Sequence, residues 1–247
     1  MSSKEKIQEE QYHFPYHHLT YSDNGSIFIF RHLFWGLEHF TYISFVLNLI
    51  QTYDFKTLAD VGCGEGRIIC DLEKKGVTAT MSGFDVSKRA IDFAKAFSAK
   101  SSFDVHDILE APLREKYEII VSCEVIEHIE PSLVQKYVDN IHQSLEDSGR
   151  IVITTPTTNL PVNKKHYQHF TSEMFDSLLD KKFTSVEYQY LHRTTILAKI
   201  LDRLLSNRLF ISNSAWLNKI VLTVYNKHLL VSDKKRGGRI VVTATKA

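Results

Sequence analysis

From Thr57 onward, short apolar runs alternate with longer segments whose apolar residues recur at helical spacing. Such alternation is typical of an α/β fold, in which helices cover both faces of a mostly parallel sheet. The runs that predict strands are Thr57–Val61, Ala79–Asp85, Phe103–Val105, Glu118–Cys123, Arg150–Thr154, Thr184–Tyr190 and Arg239–Thr245. We therefore expect a Rossmann-like sheet.

The segments predicted as helices carry their own end signals. Ser87 and Ser132 stand where N-caps are expected, and Gly149 can close the turn after the helix that Ser132 begins. Helical spacing is present in Arg67–Lys75, Ser87–Ser98, Pro131–Leu145, Thr171–Asp180, Thr194–Leu205 and Ala215–Leu230. The last two segments would form a helical insert before the final strand.

Charge is spread unevenly along the chain. The formal net charge is +1, which gives no global field that favours nucleic acid or a membrane. Between Leu191 and Arg236, however, nine Lys or Arg stand against two acids. This stretch could contact an anionic substrate, a carrier phosphate or a membrane surface through Lys199, Arg203, Arg208 and Lys219.

Three scattered cysteines are too few for a disulfide framework, and they favour a reducing, cytoplasmic setting. Residues 1–11 are charged and lack the apolar core of a signal peptide. The apolar stretch Leu33–Ile50 is interrupted by Glu38 and His39, and the remaining Phe40–Ile50 is too short to span a bilayer. We expect a buried helix there, within an N-terminal helical extension.

The run Asp60–Arg67 follows a predicted strand and opens a predicted helix. Its glycines, Gly62, Gly64 and Gly66, allow a tight turn and a close approach of a ligand to the backbone. A dinucleotide fingerprint would place its third glycine at the position of Arg67. An acid two residues before the first glycine instead favours a ligand with an ammonium group, such as S-adenosylmethionine (SAM).

Two more acids follow the next predicted strands. Asp85 is placed to bind a ribose diol at the carboxyl edge of the sheet, and Asp107 could accept from an adenine amino group. Each of these acids alone could be a turn residue or a helix cap. Their ordered series after a glycine turn is the feature that indicates a nucleoside-containing cofactor.

On these residues the sequence resembles the class I SAM-dependent methyltransferases, from about Lys56 to Leu179 and again in the final strand. The resemblance implies a seven-stranded sheet whose last strand is antiparallel. It implies that the three glycines line the methionine part of SAM and that Asp85 binds the ribose. The expected cofactor contacts are Asp60, Gly62, Gly64, Gly66, Asp85, Val86, Asp107, Ile108 and Cys123.

A second block, Ser122–Ile129, looks like the Glu-x-x-Glu-His segment of the ubiquinone-biosynthesis O-methyltransferases, which the small-RNA 3′-end 2′-O-methyltransferases share. Both families also place a histidine five residues before a helix, as His166 stands before Thr171. The resemblance implies a divalent metal, Mn, Fe, Co, Zn or less naturally Mg. Its ligands would be Glu124, Glu127, His128 and His166.

Apart from the resemblance, Glu124, Glu127 and His128 stand at i, i+3 and i+4, which predicts that they share one helical face. A metal there could lower the pKa of an acceptor hydroxyl, or a histidine could take its proton. The candidate catalytic residues are Glu124, His128, His166 and His169. Without a metal, these residues would act as acid, base or scaffold.

The expected function is therefore methyl transfer from SAM to a hydroxyl of a small-molecule, glycan or lipid-linked acceptor. An RNA 2′-O-methyltransferase is one alternative, although no RNA-binding module is recognisable. A non-catalytic SAM-binding module is another. In both enzymatic alternatives, segments added to the sheet would select the acceptor.

The expected organisation has four parts: an extension and substrate cap at 1–55, a SAM-binding core at 56–190, a basic helical insert at 191–236, and a final core strand at 237–247. The extension contains an aromatic segment, Tyr12–Tyr21, with His13, His17 and His18. We expect this segment and the insert to meet above the carboxyl edge of the sheet as a lid over the acceptor.

Overall fold

The structure, a computed structural model, describes Tyr12 and residues 21–23, 26–28, 33–206 and 214–247. His13, His17, His18 and Arg208 of the sequence predictions lie outside the described residues. In chain order the elements are β1 (Tyr21–Asp23), β2 (Ser26–Phe28), α1 (Leu33–Ile50), β3 (Thr57–Val61), α2 (Arg67–Lys74), β4 (Thr80–Asp85), α3 (Lys88–Phe97), β5 (Ser102–Val105), β6 (Tyr117–Cys123), α4 (Val134–Ser144), β7 (Leu145–Pro156), α5 (Ser172–Leu179), β8 (Phe183–Arg193), α6 (Ile196–Leu205), α7 (Ala215–Tyr225), β9 (Val231–Ser232) and β10 (Gly237–Lys246).

One mixed sheet organises the core, in the order β5-β4-β3-β6-β7-β10-β8-β9. The first five strands of that order pair in parallel, and β10 runs antiparallel to both β7 and β8. This confirms the Rossmann-like fold and the antiparallel last strand. The sheet has eight strands rather than seven, because the two-residue β9 pairs with the outer edge of β8.

Helices cover both faces of the sheet, as predicted. Neighbouring strand residues point to opposite faces: Ala59, Ile120 and Val242 face α4 and α5, and the residues beside them face α1, α2 and α3. This period of two is the pleat of buried strands. On the first face, Tyr137 is fully buried and its hydroxyl donates to Ser122.

The end signals of the helices were predicted with mixed success. The Ser87 hydroxyl accepts a hydrogen bond from the backbone of Ala90 at 3.2 Å, which confirms it as the cap of α3. The prediction for Ser132 is wrong, because Pro131–Leu133 form a 3-10 turn and Leu133 occupies the N-cap position of α4. Gly149 lies inside β7 rather than directly after the helix.

The helical insert packs against α1, although the two are far apart in the sequence. Phe34 and Leu37 of α1 form one buried cluster with Ala198 of α6, Leu222 and Tyr225 of α7, and Leu229 of the π-helical turn that follows α7. Within the described ranges, no helix is long and apolar enough to cross a membrane.

Candidate functional site

A cavity of about 720 Å³ opens where β3, β4 and β6 end at the carboxyl edge of the sheet. Ligand sites in proteins typically enclose roughly 300–1,000 Å³. One wall is the turn after β3, a second follows β4, and α1 contributes a third. The cavity therefore lies where open α/β sheets bind their ligands.

The glycine turn after β3 adopts backbone angles that only glycine tolerates well. Gly62 and Gly64 line the cavity with φ values of 77° and 52°. A Cβ atom on Gly62 would lie 2.3 Å from Val125 Cγ2. The turn is tied to β4, since the amide of Gly62 donates to the Phe84 carbonyl at 2.7 Å.

Gly66 differs from the role expected for it. It does not line the cavity, and a Cβ there would lie 2.8 Å from the ring of Phe103 and 3.0 Å from Ala94. Its missing side chain allows the start of α2 to pack closely on α3 and β5. The structure thus gives Gly66 a packing role, and its contact with the methionine part of SAM stays a prediction.

Two buried carboxylates flank the glycine turn. Asp85 accepts hydrogen bonds from the Gly64 amide at 2.9 Å and the Ser87 amide at 2.8 Å. Asp60 receives no hydrogen bond from the described residues, and burial together with the charge of Asp85 raises its pKa to about 8. A cationic group bound at this position would offset both effects.

Asp107, Ile108 and Val86 lie together on the wall beyond β4. Asp107 accepts from the Leu109 amide at 2.8 Å, and the Ile108 carbonyl accepts from Asn140 at 2.6 Å. These bonds fix the loop after β5, while Val86 stays largely exposed. Cys123, at the end of β6, also lines the cavity.

Glu124 does not share a helical face with Glu127 and His128, so that prediction is wrong. Its φ of 59° is left-handed, and only Ile126–His128 form a helical turn. The left-handed backbone points its carboxylate toward Arg239, which donates to both oxygens at 2.9 and 2.7 Å. Burial opposes ionisation, but Arg239 holds the pKa of Glu124 below its usual value.

Arg239 is a residue of the candidate site that sequence analysis did not predict. Its guanidinium donates to His192 Nδ1 at 2.7 Å and lies 4.2 Å from the centre of the Tyr42 ring. Burial and the positive charge of Arg239 hold the pKa of His192 well below its usual value. The available signal was an arginine inside an apolar strand, because a charged side chain that is largely withdrawn from water requires a partner.

Three predicted metal ligands, Glu127, His128 and His166, do come together. Their ligand atoms lie within 4.8 Å of one another. Glu127 is fully buried: one oxygen accepts from the Thr155 hydroxyl at 3.0 Å, and the other has no hydrogen-bond partner among the described residues. Burial and Glu124 raise the pKa of Glu127 well above its usual value.

His166 and His169 form a hydrogen-bonded pair. His169 Nδ1 lies 3.0 Å from the Leu160 carbonyl, and its Nε2 lies 2.9 Å from His166 Nδ1. A carbonyl only accepts, so in neutral rings His169 carries its proton on Nδ1 and accepts from His166 through Nε2. The lone pair of His166 is then on Nε2, where the Asn163 amide donates at 3.0 Å.

The environment keeps His166 uncharged. Burial, His128 and His169 lower its pKa to about 3. His166 lines the cavity, whereas His169 is buried behind it. His169 can therefore act on a bound molecule only through His166.

Helix α1 supplies a wall for which sequence analysis predicted no site residue. Trp35 stacks on His39 with ring centres 5.2 Å apart, and both line the cavity with Glu38 and Tyr42. Burial raises the pKa of Glu38 to about 7, although Arg239 counteracts it. The interruption of an apolar run by Glu38 and His39 was the only sequence signal.

The predicted lid is only partly visible. Tyr12 is buried and lines the cavity near Gly64. No described residue of 191–236 lines it, and the insert instead supports α1 from behind. A direct lid role for the insert stays a prediction.

Solved structures define the class of this fold. A SAM-dependent methyltransferase from Archaeoglobus fulgidus superposes with a TM-score of 0.57 at 17% identity, covering 83% of this chain and 94% of that one. The N-methyltransferase NodS from Bradyrhizobium japonicum, solved with S-adenosyl-L-homocysteine, gives 0.56 at 17% identity, covering 85% and 87%. The architecture is that of the class I SAM-dependent methyltransferases.

Residues 39–204 match the methyltransferase domain family, and the chain belongs to that family. The ubiquinone biosynthesis O-methyltransferase of Rickettsia typhi is 30% identical over 102 residues, which are 40% of this chain and 40% of that protein. The chain therefore spans about two fifths of the length of the curated relatives that it matches.

Proposed function

We propose that this chain transfers a methyl group from SAM to a hydroxyl oxygen of a small-molecule, glycan or lipid-linked acceptor. The observation that carries the proposal is the continuity of one cavity. It runs from the glycine turn with its two carboxylates to the neutral imidazole of His166. A cofactor and a proton acceptor can thus meet in one enclosed space.

The cofactor half suits SAM in size and chemistry. Asp60, buried and without a hydrogen bond from the described residues, would meet the ammonium group beside Gly62 and Gly64. Asp85 would bind the ribose hydroxyls. Asp107, Ile108, Val86 and Cys123 would surround the adenine and the rest of the nucleoside.

SAM supplies a methyl group on a positively charged sulfur, which an oxygen nucleophile attacks in line. The chain's part is to orient the acceptor and to hold its proton. We assign the proton to His166 Nε2, which an acceptor hydroxyl would reach by displacing the Asn163 amide. Because the low pKa of His166 makes it a weak base, the proton would pass to it late, as the bond from oxygen to the methyl group forms and the hydroxyl becomes strongly acidic. His169 then keeps the His166 ring in the required tautomer.

A divalent metal remains a second proposal for the same cluster. Glu127, His128 and His166 fit it, because Glu127 has a buried carboxylate oxygen with no hydrogen-bond partner among the described residues and clusters with the two imidazoles. Glu124 does not fit, since Arg239 occupies both of its oxygens. A metal bound there would lower the pKa of a coordinated hydroxyl.

A hydroxyl acceptor with an apolar part is supported by the α1 wall, where Trp35 and Tyr42 offer aromatic surface. The alternative of an RNA 2′-O-methyltransferase would need cations free to meet phosphates along the cavity mouth. Among the described residues the lining holds Arg67, Lys165 and Arg239, and both arginines are paired with carboxylates, Asp71 and Glu124. A non-catalytic SAM-binding module would have no use for the ordered histidine pair.

The test begins with calorimetry of SAM binding. Asp85→Ala should weaken binding by about 1.5–3 kcal/mol, the scale of a lost charge-assisted hydrogen bond, whereas the exposed Asp54→Ala should not. Absence of SAM binding by the unaltered chain would overturn the proposal.

The second part follows methyl transfer from labelled SAM to phenols, glycans, a lipid extract and small RNA. His166→Ala should lower kcat on the order of 10²–10⁴-fold with SAM affinity unchanged. His142→Ala, outside the cavity, is the matched control. Loss of activity on chelation, together with a bound metal detected by elemental analysis, would favour the metal over the base.

A further inference from the structure

We propose that the outer face of α6 and α7 docks on the surface of an anionic lipid bilayer. This docking face consists of Ile196, Leu197, Lys199, Ile200, Arg203 and Leu204 of α6 with Trp216, Leu217, Lys219, Ile220 and Val224 of α7. It combines exposed apolar side chains with cations, and it lies away from the cavity described above.

Helix α6 carries apolar side chains on two opposite faces. Ala198, Leu201 and Leu205 pack against α1. Ile196, Ile200 and Leu204 recur every four residues on the opposite side, and Ile196 is 78% exposed while Leu204 is 63% exposed. Burial in the core explains the first set of residues but not the second.

Helix α7 continues the same pattern. Its inner residues Leu222 and Tyr225 belong to the buried cluster with α1. Its outer side exposes Leu217, Ile220 and Val224, and Trp216 is 73% exposed. A tryptophan at such a position is characteristic of proteins that rest at the membrane interface.

Charge decides which occupant we assign to this face. Lys199 and Arg203 on α6 and Lys219 on α7 are exposed. None of the three takes part in a salt bridge among the residues that the structure describes. The one acid on these two helices is Asp202. Apolar side chains edged by free cations complement a bilayer that carries anionic headgroups.

The position of the docking face matters for the acceptor. The inner side of α6 and α7 holds Phe34 and Leu37 of α1, and the next residues of that helix, Trp35 and Glu38, line the cavity. Docking would therefore bring the α1 wall near the bilayer. The inference that docking helps the chain to methylate a lipid-linked acceptor rests on the proposed function, whereas the docking itself does not.

Vesicle co-sedimentation tests the docking. We expect the full chain to bind vesicles of phosphatidylcholine mixed with phosphatidylglycerol, and to bind phosphatidylcholine alone much more weakly. Lys199→Glu/Arg203→Glu should weaken binding about thirtyfold or more, since each basic residue near an anionic surface contributes roughly a fivefold gain. Lys116→Glu/Lys136→Glu, with the same change of charge at exposed positions on other elements, should bind like the unaltered chain.

Insertion of the apolar side chains is tested through tryptophan fluorescence. Brominated lipids should quench the tryptophan fluorescence of the unaltered chain. Most of this quenching should disappear in Trp216→Phe, which retains Trp35. Trp216→Ser should lose at least about tenfold in vesicle affinity. Calorimetry of SAM binding checks that each variant is folded. The result of this measurement does not depend on whether the variant binds vesicles.

Two results would overturn the inference. One is equal binding of both vesicle types, or none, by a folded chain. The other is a dimer in light scattering that Trp216→Ser dissociates, since the docking face would then join two copies of this chain.

Discussion

Asp60 is a residue whose removal should stabilise the protein and impair its cofactor site. Its pKa is about 8 in the folded chain against 3.8 when free, because burial and Asp85 both disfavour its charge. A raised folded-state pKa means that the folded protein holds a proton that the unfolded chain releases. The contribution of Asp60 to the free energy of unfolding is therefore most favourable below pH 3.8, and it is lost progressively as the pH rises to about 8.

The size of this effect follows from the same two pKa values. Each pH unit between 3.8 and 7 costs about 1.36 kcal/mol, which gives an upper bound of about 4 kcal/mol at pH 7. Asp60→Asn has the same shape and cannot ionise. Its amide needs acceptors of its own, so we expect a gain of about 1–4 kcal/mol at pH 7.

Urea unfolding of wild type and Asp60→Asn between pH 5 and pH 8.5 measures this gain. The difference between the two should grow with pH and level off near pH 8. SAM binding by calorimetry should weaken about ten- to a hundredfold in the same variant, as a charge-assisted hydrogen bond to the ammonium is lost.

The exposed Asp54→Asn is the control, and it should change neither quantity. If Asp60→Asn is less stable than wild type at pH 8, Asp60 is ionised and already compensated in the folded chain. The electrostatic reasoning about the cofactor half would then be wrong.

Two further substitutions test contacts that only the structure shows. Gly62→Ala should lower the free energy of unfolding by at least about 2 kcal/mol, because the φ of 77° is strained and the new Cβ would lie 2.3 Å from Val125 Cγ2. In urea titrations, Gly62→Ala/Val125→Ala should recover the part of the loss that is due to this steric clash. No recovery would contradict the contact. Arg239→Leu should cost about 1.5–3 kcal/mol, the scale of lost charge-assisted hydrogen bonds, by leaving the half-buried Glu124 without its partner; Glu124→Gln/Arg239→Leu should restore much of it in thermal unfolding, and an equally unstable double variant would refute the pairing.

The strands and most helices were predictable because their signals are local. The strand β3 has the predicted bounds, α2 ends one residue earlier than predicted, and α3 is one residue shorter than predicted at each end. The Ser87 cap, the glycine turn and the series of acids at strand ends all depend on neighbours close in sequence. By contrast, β9 has two residues, which is too short for any periodic pattern.

The Glu124 environment could not be predicted, since it depends on a contact across 115 positions. The spacing of Glu124, Glu127 and His128 suits a helical turn, but the turn begins at Ile126, two residues after Glu124, whose backbone is left-handed. Periodicity carries no information on such a conformation in a residue other than glycine. Arg239, with which Glu124 pairs, gave no motif of its own.

The two halves of the cavity are thus built by different means. The cofactor half uses turns whose residues lie next to one another in sequence, so that a short motif specifies its shape. The other half needs α1, β8 and β10 at once: Arg239 joins Glu124 at the end of β6 to His192 and Tyr42. Because α6 and α7 pack behind the same α1, we expect that a change in the insert can move the α1 wall, which the proposed function assigns to the acceptor, without altering the glycine turn. This arrangement would allow related chains to keep one cofactor while the acceptor differs, which is why the acceptor is the part of the function that local sequence predicts least.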